Sequence, residues 1–136
     1  MLLRKVEQYH KLGCFTACLA MMLNKSYFDT MKIVHPNKYY GLFSKKSCDV
    51  AVSIEDALKK IEEVGIKAVP TNTRNIQDLK KDALLIVRLK SAEDADVFLH
   101  TIMYDSCEKK ILDPAHKVPF SIKRYERALD SVYYIG

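Results

Sequence analysis

The sequence has no tryptophan, only four glycines and four prolines, and no uninterrupted apolar run of the length that a membrane span requires. A transmembrane helix needs about 20 mostly apolar residues, so a membrane-spanning protein is not expected. The scarcity of glycine and proline, with a hydrophobic content of 49%, argues against a disordered or fibrous chain. Residues 1–8 contain neither a long apolar region nor a small-residue cleavage site, so we expect no signal peptide and a cytoplasmic location.

Cysteines are also few. The four thiols belong to Cys14, Cys18, Cys48 and Cys107. A chain of 136 residues can bury a hydrophobic core without cross-links, and disulfides are rare in proteins that are not secreted. We therefore expect reduced thiols and a single domain that spans residues 1–136.

The positive charge of the chain is not concentrated in one segment. The net charge is +5, and the lysines are scattered in short pairs such as Lys45-Lys46 and Lys80-Lys81. Nucleic-acid binding usually requires a continuous basic patch or stripe. No nucleic-acid partner is therefore predicted.

The apolar periodicity predicts helices in the N-terminal half, followed by a mostly antiparallel sheet, which is an α+β fold. The predicted helices cover residues 14–24, 27–34, 54–64 and 122–129, with one or two helical turns over 76–81. The predicted strands cover residues 66–69, 83–89, 97–104, 109–112 and 132–135, and residues 2–7 are expected to be a short strand or an extended segment. Residues 36–50 are predicted to form an irregular, aromatic-rich loop, and residues 91–96 a shorter loop.

Four local signals set the helix boundaries. Ser26, Ser53 and Ser121 each stand just before a predicted helix, where a serine hydroxyl can accept a hydrogen bond from the first turn. Gly65 follows the third helix, at the position that often adopts a left-handed conformation.

The most informative feature is a cysteine at the predicted start of the first helix. Cys14 follows Gly13 and precedes an apolar helical run, so its thiol lies near unpaired backbone N–H groups and the positive end of the helix dipole. Such surroundings lower the pKa of a thiol and favour the nucleophilic thiolate. Gln8 precedes Cys14 by six positions, and its amide N–H is placed to stabilise an oxyanion together with the backbone N–H of Cys14.

A cysteine nucleophile needs a base, and the base needs a partner that orients it. A hairpin centred between Ser106 and Cys107 would pair His100 directly with Asp113 on the neighbouring strand. Directly opposed side chains point to the same face of a sheet, about 5 Å apart at Cβ. We therefore predict that the carboxylate of Asp113 orients the imidazole of His100.

The order and spacing of these residues resemble the papain-like cysteine peptidases. The nearest resemblance is to the peptidase family that removes double-glycine leaders from bacteriocins, often as the N-terminal domain of peptide-exporting ABC transporters. Three further stretches resemble that family: the helix Cys18–Leu23, the segment 52–68 that contains Asp56-Ala57-Leu58 and Val64-Gly65-Ile66, and the histidine strand 99–104 followed by Ile111-Leu112-Asp113-Pro114-Ala115.

The resemblance covers nearly the whole chain and implies a papain-like fold. It also implies that Cys14 is the nucleophile, His100 the base, Asp113 the orienting residue and Gln8 the oxyanion donor. One position departs from the family, which usually has Asp-Cys-Gly where this chain has Gly13-Cys14-Phe15. The sequence contains no transporter segment, so we expect a peptidase domain that stands alone.

The sequence thus predicts a thiol hydrolase that cleaves a peptide or amide bond of a peptide or protein substrate through an acyl-enzyme on Cys14. Two alternatives remain: a non-catalytic peptide- or protein-binding module on the same fold, or an acyltransferase that uses the same triad. The sequence does not indicate an oligomeric state.

One further arrangement of residues could indicate a metal site. His10, Cys14 and Cys18 follow one another at intervals of four residues, which would place them on one helix face. Gly13 interrupts that helix and no fourth ligand is evident, so neither a metal nor another cofactor is expected.

Overall fold

A computed structural model describes residues 3–37, 49–90 and 97–136. Over these residues the chain forms α1 (Cys14–Leu23), α2 (Tyr27–Val34), α3 (Ile54–Glu63), β1 (Ala68–Thr71), a 3₁₀ turn (Ile76–Asp78), β2 (Ala83–Lys90), β3 (Val97–Asp105), β4 (Lys110–Leu112), α4 (Ile122–Ala128) and β5 (Leu129–Ile135). The predicted loop over 36–50 falls mostly outside the described residues, and the loop over 91–96 falls outside them entirely.

The strands form one five-stranded sheet in the order β1-β5-β2-β3-β4, and every neighbouring pair is antiparallel. Helices therefore precede an antiparallel sheet, and the predicted α+β class is confirmed. Among the described residues, none of the helices has the length and apolar character needed to cross a lipid bilayer.

The sheet carries a hydrophobic cluster on each face. Alternate residues of β2 belong to different clusters, since Leu84 packs with α1 and α3 whereas Leu85 packs with α4. The first cluster includes Phe15 and Leu19 of α1, and the second includes Tyr125 of α4. This layering places the start of α1 on one side of the sheet and α4 on the other.

The helix boundaries agree with their local signals. The hydroxyls of Ser26, Ser53 and Ser121 each accept a hydrogen bond from the backbone N–H three residues later, as predicted. Gly65 has a φ of 87°, which confirms the left-handed position after α3.

The boundary predicted for β1 is wrong. The strand was predicted over 66–69, but β1 covers Ala68–Thr71 and Pro70 pairs with Tyr133 of β5. A proline is tolerated there because β1 is an edge strand, whose outer side needs no backbone donor.

The hairpin register is also different from the prediction. The turn lies at 106–109, one residue later than expected, and Tyr104 pairs with Ile111 instead of Lys109. The carboxylate of Asp105 accepts the backbone N–H of Cys107 at 2.9 Å and so holds the first half of the turn, while Lys109 takes a left-handed φ of 55°. Since the pairing shifts by two residues, the same side chains remain on the same face of the sheet.

Candidate active site

Cys14 is the first residue of α1, and the chain before it explains that position. Gly13 is the N-cap and has no side chain to accept a hydrogen bond from the first turn. As the first residue of α1, Cys14 has its backbone N–H at the positive end of the helix, where the first N–H groups have no partner within the helix. A side chain at Gly13 would also collide with α2, because an added Cβ would lie 2.0 Å from the hydroxyl of Tyr27.

His100 and Asp113 are joined by a hydrogen bond. The Nε2 atom of His100 lies 2.8 Å from Oδ1 of Asp113, and both side chains are buried. The predicted pair is thus in contact. Asp113 is not directly opposite His100 in the sheet, because β4 ends at Leu112 and Asp113 follows it, so the two side chains meet diagonally across the hairpin. Since Nε2 is engaged by the carboxylate, the ring nitrogen left for Cys14 is Nδ1.

The carboxylate of Asp113 has three donors. Oδ1 accepts the ring N–H of His100 and, at 2.9 Å, the backbone N–H of Ala115. Oδ2 accepts the hydroxyl of Tyr125 at 2.6 Å. Burial raises the pKa of the Asp113 carboxyl, but the hydrogen bonds from His100 and Tyr125 and the charge on His100 outweigh it and lower that pKa.

Cys14 and His100 stabilise each other's charged forms. Burial raises the pKa of the Cys14 thiol, but its hydrogen bond and charge interaction with His100 bring the pKa below its usual 9.0. Burial likewise disfavours the imidazolium, yet hydrogen bonds to Asp113 and Cys14 raise the pKa of His100 from 6.5 to about 9. The two groups therefore favour a thiolate beside an imidazolium over a neutral thiol beside a neutral imidazole.

Thr101 supports the thiolate from β3. Its side chain and its backbone N–H both lower the pKa of Cys14. β4 pairs with β3 only over Met103–Asp105, so β4 does not occupy the edge of β3 at Thr101. The Thr101 hydroxyl makes no full hydrogen bond to a protein oxygen or nitrogen among the described residues, so it is available to the sulfur.

Cys18 differs from Cys14 although it lies one helical turn away. Burial and the nearby Cys14 raise the pKa of the Cys18 thiol well above 9.0. Cys18 belongs to the hydrophobic cluster with Leu19, so it is a neutral core residue. His10 instead contacts the hydroxyl of Tyr27 at 2.8 Å through Nδ1. The described residues contain no group of three His, Cys, Asp or Glu side chains suited to a metal ion.

Gln8 lies before α1 with its amide group already engaged. Its Nε2 donates to the carbonyls of His10 at 3.0 Å and Lys11 at 2.8 Å. Its backbone N–H donates to Pro114, which ties this segment to the loop after Asp113. To donate to an oxyanion, Gln8 would have to release one of these carbonyls, so its oxyanion role stays a prediction.

An apolar pocket of about 160 Å³ opens beside Cys14 and His100. Its walls come from the start of α1, from α3 and from the two central strands: Leu12, Phe15, Ile54, Ala57, Leu58, Leu84, Ile86 and Leu99. Phe15 is only 3% exposed and packs into the core, so its side chain forms a wall of the pocket. Leu12 and Leu99 are 49% and 42% exposed, and they make the rim apolar.

Sequence reasoning missed Tyr125 and Thr101. For Tyr125 the only signal is its spacing of three residues from Ile122 and Ala128, which marks the buried side of α4 but not a polar partner. Thr101 is adjacent to His100, but strand alternation suggests the opposite face, and its contact with Cys14 depends on how α1 meets β3.

No protein-family model matches the chain, and no curated protein matches it.

Proposed function

We propose that this protein is a cysteine peptidase that cleaves a peptide or related amide bond through an acyl-enzyme on Cys14. The observation that supports this most is the continuous set of contacts from Cys14 to His100 and from His100 to Asp113. A core cysteine and a core histidine would not require a buried carboxylate behind the imidazole, whereas general-base catalysis does.

In the proposed reaction the thiolate of Cys14 attacks the scissile carbonyl carbon, and a C–S bond forms. The oxyanion accepts a hydrogen bond from the backbone N–H of Cys14, the first residue of α1. His100, held protonated by Asp113, gives its proton to the leaving amine as the C–N bond breaks. His100 then takes a proton from water, which attacks the thioester carbon. The C–S bond breaks, the acid is released, and the Cys14 thiolate beside protonated His100 is restored.

We include in the proposal the papain-like fold and the double-glycine leader peptidase family, which the order and spacing of Gln8, Cys14, His100 and Asp113 resemble. Phe15 does not argue against it, because the side chain is turned into the core and leaves the thiol facing a pocket. The apolar pocket is suited to one aliphatic or aromatic side chain of the substrate. We expect the protein to act on its substrate in the cytoplasm.

The role of Cys14 as nucleophile can be tested with a generic ester in place of the natural substrate. p-Nitrophenyl acetate should give a burst of about one equivalent of p-nitrophenol, followed by slow turnover, because acylation of a thiolate is faster than hydrolysis of the thioester. Mass spectrometry of the quenched protein should place the acetyl group on Cys14.

The variants Cys14→Ala and His100→Ala should abolish the burst. Cys107→Ser is the matched control, since Cys107 is an exposed free thiol outside the site. A burst that survives in Cys14→Ala, or an acetyl group found mainly on Cys107, would contradict the proposal. Product analysis with peptides in the presence of an added amine then separates hydrolysis from acyl transfer.

A further inference from the structure

One buried tyrosine reaches the catalytic carboxylate from the opposite side of the sheet to α1. Tyr125 lies in α4 and is 0% exposed. Its hydroxyl donates its one hydrogen to Oδ2 of Asp113 at 2.6 Å, and its oxygen accepts the backbone N–H of Phe120 at 3.2 Å. Both hydrogen bonds fix the position of the hydroxyl, so it is a directed donor.

The Tyr125 contact determines which carboxylate oxygen faces the imidazole. Asp113 follows the last residue of β4, outside the sheet ladder, so strand pairing does not hold its side chain. The backbone N–H of Ala115 fixes Oδ1, and the phenol fixes Oδ2. With both oxygens held, Oδ1 is kept in line with Nε2 of His100.

A second buried tyrosine shows that burial alone does not explain this contact. Tyr104 of β3 is also 0% exposed and belongs to the same cluster as Tyr125. Its hydroxyl has no hydrogen-bond partner among the described residues. The core of this protein can therefore hold a tyrosine without a directed hydroxyl, and the contact made by Tyr125 is specific to Asp113.

On the face of the sheet that carries α4, aromatic rings lie next to the hydrogen bond between His100 and Asp113. His116 lies edge-on to His100, with ring centres 6.5 Å apart, and Phe120 lies between His116 and Tyr125 at 4.7 and 5.8 Å. These rings limit the access of water to Asp113. A carboxylate that is shielded from water depends on protein donors for its charge.

We propose that Tyr125 is a positioning residue of the active site: its hydroxyl holds Asp113 ionised and aligned, and thereby keeps His100 protonated beside the Cys14 thiolate. This proposal rests on the proposed function, since it assigns Tyr125 to the same triad. Tyr125 does not touch the reacting atoms and acts only through Asp113 and His100.

The sign of the expected pH effect follows from the groups that face this carboxylate. Without the hydroxyl, Oδ2 of Asp113 is buried with no donor, so the pKa of Asp113 rises and its charge supports His100 less. The thiolate then forms at higher pH. Among the described residues, the other ionisable groups next to the site include Cys14 and His116 beside His100, and Cys18, whose thiol interacts with the charges of Cys14 and Asp113. Arg124 lies over Phe120 and near Tyr125.

The test is the pH profile of Cys14 alkylation by iodoacetamide, recorded by peptide mapping with Cys107 as the internal reference thiol. Tyr125→Phe should move the midpoint of the profile to higher pH, so that the rate near pH 6 falls about 10-fold while the rate above pH 9 equals that of the wild type. Tyr104→Phe removes a hydroxyl from an equally buried ring and should leave the profile unchanged.

A double-mutant cycle separates positioning from a structural effect. In an Asp113→Asn background, Tyr125→Phe should cause no further shift, because the group through which Tyr125 acts is already absent. Superimposable profiles of wild type and Tyr125→Phe would overturn the proposal while leaving the nucleophile intact. Cys14 labelling in the wild type no faster than that of Cys107 would instead contradict the proposed function, and this inference with it.

A further variant keeps the test decisive if Tyr125→Phe does not fold. Site-specific 3,5-difluorotyrosine at position 125 keeps the ring and the hydroxyl but is a stronger hydrogen-bond donor. It should move the midpoint of Cys14 alkylation to lower pH, and an unchanged midpoint would count against the role of Tyr125.

Discussion

The hydroxyl of Tyr27 occupies the space that a side chain at Gly13 would need: an added Cβ would lie 2.0 Å from that oxygen and 3.1 Å from the ring carbon that carries it. Gly13 is the residue immediately before the proposed nucleophile, and Tyr27 begins α2. The position of the Cys14 thiol at the start of α1 is therefore coupled to the packing of α1 against α2.

Gly13→Ala should destabilise the protein by about 1–3 kcal/mol, because backbone or Tyr27 must move to relieve the overlap. It should also slow alkylation of Cys14, since the thiol shifts relative to His100. Thermal denaturation and iodoacetamide labelling measure the two effects. Adding Tyr27→Phe removes the atom in closest conflict and should recover part of the stability, whereas an unperturbed Gly13→Ala variant would contradict this account.

The free energy of unfolding should fall at low pH as the Asp113 carboxylate is protonated. The pKa of Asp113 is lowered in the folded state, so its contribution is present above the ordinary value of 3.8 and is lost as the pH falls through the folded pKa. His100 adds no slope there, because with a pKa of 6.5 unfolded and about 9 folded it is protonated in both states.

Asp113→Asn should therefore be less stable than the wild type by about 3 kcal/mol near pH 5, where an unpaired imidazolium is left buried. The difference should shrink as the pH falls below 3.8 and the wild-type carboxyl also loses its charge. Chemical denaturation at several pH values from 5 to 2 measures it. A difference that stays constant over this range would show that the charge of Asp113 does not stabilise the fold.

The hydroxyl of Thr101 should contribute to thiolate formation independently of the triad. Thr101→Val keeps the shape of the side chain and removes the group that lowers the pKa of Cys14, so alkylation near pH 6 should slow by about 3-fold. Thr16→Val is the matched control: its hydroxyl is also buried without a partner among the described residues, and it is not one of the groups that dominate the pKa of the Cys14 thiol. Equal slowing in both variants would assign the effect to packing.

The sequence was most informative where the physical cause is local. Ser26 and Ser121 cap their helices through a hydroxyl that meets an N–H three residues away, so both ends could be predicted without the rest of the fold. The pairing of His100 with Asp113 was predicted from a hairpin register that is wrong. The contact exists nonetheless, because a shift of two residues preserves the face of a strand.

Contacts that depend on the packing of distant elements could not be predicted. Tyr125 meets Asp113 only because α4 covers one face of the sheet, and no local pattern encodes that meeting. For Gln8 the sequence predicted a role that its contacts in the structure oppose. Its spacing from Cys14 suggested an oxyanion donor, but nearby carbonyls of the same segment compete for its two amide hydrogens.

The apolar pocket beside Cys14 should make the thiol selective for probes with an aliphatic group. An apolar protein cavity of about 150 Å³ accommodates a benzene molecule, so a pocket of about 160 Å³ has room for one leucine-sized or phenylalanine-sized group. N-(3-methylbutyl)iodoacetamide should alkylate Cys14 about 10-fold faster than the neutral 2-hydroxyethyl analogue, because each buried methylene contributes about 0.8 kcal/mol. Both probes carry the same reactive carbon, so their rate ratio reports the pocket and not the thiolate.

Leu99→Gln should reduce this ratio, since Leu99 forms part of the rim and is already 42% exposed, which makes the substitution tolerable for the fold. Val69→Gln is the matched control: Val69 is 44% exposed on β1, at the other end of the strand order and outside the pocket. A ratio near one in the wild type, or equal ratios in the two variants, would mean that substrate recognition does not depend on this pocket. A high ratio that falls only in Leu99→Gln would instead show that the pocket beside Cys14 selects an apolar group.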